Sequence, residues 1–160
     1  MIRLLATALF VGACAGGGSG ASPNGVPADF ATKALAVCQH AHELKLAQGS
    51  FPVPAFNPTN PDATKFPEVA AFLHKTATTF ETWLAEMKAL GVPLTGQAAW
   101  ADLVAAVERH VNLNADQIAA AGRGDRATFS SDYTAGLQTQ ADLLRAATAA
   151  GVPDCAQVDR

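Results

Sequence analysis

Residues 67–90 read PEVAAFLHKTATTFETWLAEMKAL, and within them Val69, Leu73, Thr76, Phe80, Trp83, Met87 and Leu90 recur at intervals of four and three. With about 3.6 residues to a turn, that spacing places all seven on one face of an α-helix, and the two-residue period of a strand does not fit it. Pro67 suits a first helical turn, where a missing N–H loses no bond, and Gly91 ends the segment. This is the strongest periodic signal in the chain, and it sets the interval to search for elsewhere.

Upstream, residues 27–48 carry Phe30, Ala34, Val37, Ala41 and Leu44 at the same interval, with Pro27 in the first turn and Gly49 as terminator. Downstream, Trp100, Val104, Val107, Val111, Asn114 and Ile118 align over residues 97–121 until Gly122-Arg123-Gly124 breaks the pattern. Asp125 then offers an N-cap to a fourth helix that turns Phe129, Tyr133, Leu137, Gln140, Leu144 and Ala147 inward and stops at Gly151, with Pro153 beyond. Short connections after the second and third helices make neighbours antiparallel. The expected fold is all-α: an up-down-up-down four-helix bundle over residues 27–160.

One connection is long. Residues 49–66, GSFPVPAFNPTNPDATKF, hold Pro52, Pro54, Pro58 and Pro61 among Phe51, Phe56 and Phe66. Such a loop reads as a stiff strap whose phenylalanines cap one end of the bundle, or as a binding loop, because long irregular connections are uncommon unless they do something.

The beginning of the chain gives an address. Arg3 followed by the apolar run 4–11 and then small residues is the order of a secretory signal, and the run is far shorter than the roughly 20 residues of a membrane span. Val11-Gly12-Ala13-Cys14 resembles the lipobox of bacterial lipoproteins, and that resemblance implies cleavage before Cys14 and a diacylglycerol on its sulfur. The alternative is ordinary secretion with Ala13-Cys14-Ala15 as the cleavage site. Residues 1–13 are thus expected to be a signal peptide and 14–26, rich in Gly, Ser, Ala and Pro, a flexible tether on a membrane-lipid anchor.

Three cysteines are an odd number for an exported protein. With Cys14 acylated, Cys38 and Cys155 remain, and an oxidising compartment favours joining them in a disulfide. A tail folding back from Gly151 brings Cys155 to the first helix in an antiparallel bundle, so the pairing and the topology support one another. No C-x-x-C or Cys/His spacing suggests a metal. Removing residues 1–13 takes away one basic residue, Arg3, and no acidic one, so the net charge moves from −3 to −4. That balance, with scattered basic residues, points away from nucleic acid.

Candidates for chemistry are few. No Glu-x-x-His pair of the di-iron type occurs, and His40 and His42 lie two apart on a helix, facing different ways. His40 with Glu43 reads as a solvated pair, and His74 and His110 as surface or boundary residues. Ser130 and Ser131 have no identifiable base, Gly-x-Ser-x-Gly is missing, and Arg123-Gly124-Asp125 reads as an interhelical turn with a cap rather than an adhesion signal. Antiparallel packing puts His42, Thr76 and Asn114 at one level, with Tyr133 close by. Such a buried polar layer either fixes register or forms a ligand site. No catalytic residue, cofactor or metal site is expected.

The stretches ALAVCQHAHEL (residues 34–44), AAAGRGDRATF (119–129) and GVPDCA (151–156) together resemble a group of small actinobacterial lipoproteins and secreted helical proteins. The resemblance implies the paired cysteines, the Gly124-Asp125 turn and the envelope address, and brings no established activity. The functional expectation is a membrane-tethered, non-enzymatic binding or interaction module, with an envelope protein or small ligand as partner. The alternative is a small-ligand or metal carrier using the bundle interior. A cavity beside His42 and Asn114 favours the carrier, and a filled core under an exposed Phe/Pro loop favours the interaction module.

Overall fold

A computed structural model describes residues 25–158. Cys14, the expected signal peptide and most of the expected tether lie outside the described residues. The chain forms an antiparallel four-helix bundle: α1 (Ala28–Ala47), α2 (Phe66–Ala89), α3 (Gln97–Gly122) and α4 (Arg126–Ala150), with 3-10 turns at Ala63–Lys65 and Pro153–Gln157. No strand occurs among the described residues.

Local chemistry sets the helix ends. The Asp125 carboxylate accepts from the backbone N–H of Thr128 at 3.1 Å and from its hydroxyl at 2.6 Å, satisfying an orphan donor of α4's first turn. Gly124 precedes it at φ +70°, a conformation that a side chain disfavours, and this lets the chain reverse in the few residues between α3 and α4. At the other end of the bundle, Trp100 Nε1 donates to the Gly91 carbonyl at 3.0 Å and pins the α2–α3 turn.

α3 packs against both α2 and α4 and buries two stripes, Trp100, Val107 and Asn114 on one and Leu103 and Ala106 on the other. Around it lies a main core of Trp83, Met87, Leu103, Val107 and Leu143, and a second cluster of Val53, Phe66, Val69, Ala120, Ala121 and Phe129 fills the opposite end. Cys38 and Cys155 are joined, 117 residues apart, with Cα atoms at 5.0 Å. Val152, Cys155 and Val158 of the C-terminal tail are all buried in the main core. The tail is therefore a wedge: it packs on both α1 and α4, and the two helices meet mainly through it.

That wedge explains where the expected seam of α4 departs from the observed one. The buried stripe is Phe129, Thr139, Leu143, Ala147 and Ala150. Leu137 and Leu144, expected inside, are 50% and 37% exposed, and Gln140 is exposed too. α4 packs most extensively on α3, and α1 does not cover the side left over. The boundary at residue 26 also shifts. Val26 is half-buried against the main core and its N–H donates to Ala150 O at 3.1 Å, so it belongs to the folded body. Gly96, at φ +69°, makes room for this entry, since a Cβ there would lie 2.5 Å from the Gly25 carbonyl oxygen.

Candidate functional site

Beyond the reach of the C-terminal wedge, the separation of α1 and α4 leaves a cavity of about 460 Å³ lined by all four helices and the long connection. It lies between the two apolar clusters, bordered by Phe80 of one and by Val69 and Phe129 of the other. Its size falls in the range of roughly 300–1,000 Å³ of small-molecule sites. The wall is mostly apolar: Phe51, Phe56 and Pro58 from the strap, Val69, Phe72, Leu73 and Phe80 from α2, Leu113 from α3, and Phe129 and Leu137 from α4. Polar groups punctuate it: Lys45, Thr76, His110, Asn114, Gln117, Tyr133 and Gln140.

The strap is both a cap and a wall. Phe51 stands edge-on to Phe72 at 5.2 Å and tilts against Phe56 at 5.7 Å, and Phe56 in turn meets Phe129 edge-on at 5.8 Å. Val53 and Pro61 are buried as anchors. Ser130 Oγ donates to the Thr59 carbonyl at 3.1 Å and Arg126 to Asn60 Oδ1 at 3.1 Å, fastening the strap to the first turns of α4. Ala55 sits at φ +57°, where a residue with a Cβ is disfavoured by about 1–2 kcal/mol, immediately before the ring that closes on α4.

Three of the four residues expected to form a polar layer come together here. Thr76 Oγ1 donates to Gln48 Oε1 at 3.1 Å, and the Gln48 amide donates to the Thr79 hydroxyl and to Lys75 O, tying the end of α1 to α2. Asn114 Nδ2 donates to Leu73 O at 3.4 Å and cross-links α3 to α2. Tyr133 supplies its ring from α4. His42 is not on the wall. It lies one residue past the stripe Ala34, Cys38, Ala41 and Lys45, half-buried, with a buried Nδ1 that has no hydrogen-bond partner among the described residues.

His110, expected at the surface or a boundary, takes the place His42 was given, lining the cavity and standing edge-on to Phe80 at 4.4 Å. Its position three residues after Val107 and four before Asn114 was the available signal. A second signal is Gly136, which sits inside α4, where glycine costs about 1 kcal/mol relative to alanine, and an isolated glycine in a helical pattern calls for a packing or functional reason. Gly136 lines the cavity, and a Cβ there would meet nothing within 4 Å.

The remaining candidates go elsewhere. His40 Nδ1 lies 3.0 Å from the Glu86 carboxylate across the α1–α2 interface, and Glu43 accepts from Gln39 instead. His74 is exposed. Among the described residues no group of three or more His, Cys, Asp or Glu side chains comes together that could hold a metal ion, and no helix is long and apolar enough to cross a membrane. The chain matches no protein family, no curated protein and no solved structure.

Proposed function

We propose that this protein is a lipid-anchored extracytoplasmic binding protein that holds a small, largely apolar ligand between α1 and α4, beneath the Phe/Pro strap. The observation that carries this reading is the cavity beside Asn114, with aromatic walls and a glycine in the middle of a helix where a side chain would fill the space. A cavity beside Asn114 favours a carrier over an interaction module, for which a filled core under an exposed Phe/Pro loop was the expectation.

The anchor at Cys14 rests on the lipobox, and one surface feature supports it. Val92 and Leu94, 73% and 92% exposed, lie in the α2–α3 turn beside Gly96, which touches the entering chain at Gly25. Apolar side chains at the end nearest the tether suit a body held close to lipid. The cavity lies in the other half: Lys45 is about 25 Å along α1 from its first residue, at 1.5 Å per residue.

Titration with the neutral fluorophore Nile red tests the cavity. The wild-type chain should enhance its emission saturably, and Gly136→Leu, which places a branched side chain in the open space, should abolish the response while keeping a helical spectrum. Equal enhancement by both proteins would remove the cavity from consideration. Intact mass and membrane fractionation test the address, with acyl additions expected on Cys14 and release of Cys14→Ser from the membrane.

A further inference from the structure

Resting on the binding function proposed above, we infer that the ligand is an uncharged fused-ring aromatic compound whose hydroxyl group is buried against Asn114. Asn114 is 5% exposed and lines the cavity, and its Nδ2 donates to the Leu73 carbonyl at 3.4 Å. That bond turns the amide nitrogen towards α2. Oδ1 has no hydrogen-bond partner among the described residues and, not being sealed in, opens on the cavity. Thr76, 7% exposed, commits its hydroxyl proton between Gln48 Oε1 at 3.1 Å and Phe72 O at 3.2 Å, and keeps lone pairs to accept with. Phe72 and Leu73 are consecutive, so the two side chains fastened to their carbonyls stand side by side on the wall. A buried acceptor without a donor forfeits the hydrogen bonds it had in water, and a ligand hydroxyl restores one.

Depth and surroundings define the rest of the ligand. Gln117, Tyr133 and Gln140 keep contact with solvent, where water can serve them, whereas Asn114 and Thr76 are buried together with the apolar lining residues Val69, Phe80 and Phe129. A charge carried to that depth would lose its hydration, but a neutral hydroxyl exchanges water for Asn114. Along the same wall Phe51 meets Phe72 edge-on at 5.2 Å and Phe56 meets Phe129 edge-on at 5.8 Å. Fused rings extend that pattern with their own edges and faces. Being rigid, they also lose little conformational freedom on binding, unlike an alkyl chain of equal area.

The test is displacement of Nile red from the full chain by 2-naphthol, uncharged at neutral pH, and by 2-methoxynaphthalene, which has the same rings and no hydroxyl proton. On the wild-type chain 2-naphthol should act at about tenfold lower concentration than the ether. Asn114→Leu, which keeps the bulk of the side chain and removes its acceptor, should weaken 2-naphthol about tenfold and leave the ether within twofold, with circular dichroism verifying the fold. Equal displacement by the two compounds on the wild-type chain would overturn the buried hydroxyl, whatever Asn114→Leu does to folding. A preference for 2-naphthol that survives in folded Asn114→Leu would overturn the assignment to Asn114. If neither compound displaces bound Nile red, the fused-ring ligand is wrong and the binding function stands. If Nile red does not bind, or Gly136→Leu binds it as wild type does, the cavity reading fails and this inference with it.

Discussion

The ring of Phe56 stands edge-on to that of Phe129, centroids 5.8 Å apart and planes at 89°, and this contact joins the long connection to the first turn of α4 across the end of the cavity. Aromatic pairs of this kind contribute about 0.5–1.5 kcal/mol beyond the area they bury. Phe56 is half-buried, so Phe56→Ala should destabilise the fold by about 1–3 kcal/mol, less than the 3–5 typical of a fully buried phenylalanine. Protease nicking confined to residues 50–60 should accelerate more than global unfolding does, because the strap loses its link to α4 while the helices keep theirs. A variant with global and local rates raised together would show that the strap is not a separable unit.

At Gly136 stability and binding should move in opposite directions. Gly136→Ala adds a methyl group into open space and removes the entropic cost of glycine within a helix. The expected gain is about 0.5–1 kcal/mol, read as a higher urea midpoint with an unchanged slope. A loss of stability would mean that the backbone of α4 approaches another element there more closely than the open space allows.

The disulfide closes a loop of 117 residues, for which the chain-entropy relation gives about 4–5 kcal/mol. Because both cysteines are buried in the main core, the double variant Cys38→Ala, Cys155→Ala also loses packing around the tail. Its urea midpoint should fall sharply, and Val26 and the tail should exchange amide hydrogens well before α3 does. Uniform exchange across all four helices would contradict the wedge role given to residues 152–158.

Two ionisable groups predict opposite pH dependences. The hydrogen bond to Glu86, aided by its charge, raises the pKa of His40 above the ordinary 6.5. A raised folded-state value means that the stabilisation is fully present below pH 6.5 and is lost as pH climbs through the raised value. Glu86→Gln should therefore be less stable than wild type at pH 6 and indistinguishable from it well above that window. The side-chain hydrogen bond from Thr128, followed by its backbone N–H, lowers the pKa of Asp125 below 3.8. That contribution is present above 3.8 and lost as pH falls through the lowered value, so the gap between wild type and Asp125→Ala should close only in acid. Denaturation curves across pH 2–9 would check both, and a His40 titration midpoint at or below 6.5 by NMR would refute the first.

Much of the fold was legible in order. Periodicity from Val69 to Leu90 announced α2, and the same interval, with Gly49, Gly91, Gly124 and Gly151 as stops, located the other three helices to within a residue or two. The pairing of Cys38 with Cys155 was expected if lipid takes Cys14, with an antiparallel topology bringing the tail back to α1, and the two cysteines are joined. The site was half legible: Thr76, Asn114 and Tyr133 line the cavity as their common level suggested, and His42 does not.

The sequence by itself determined which segments are helical and where they stop, because those outcomes depend on backbone sterics and on spacing along one chain. Only the tertiary structure decided which stripe of α4 faces inward, that His110 rather than His42 borders the cavity, and that a cavity exists. Those depend on what the facing element is. In an Ala-rich helix, adjacent stripes differ little in hydrophobicity, so the neighbour selects between them. α4 packs chiefly on α3, the C-terminal tail stands between α4 and α1, and the space left beyond the tail is walled by apolar side chains of α2, α4 and the strap.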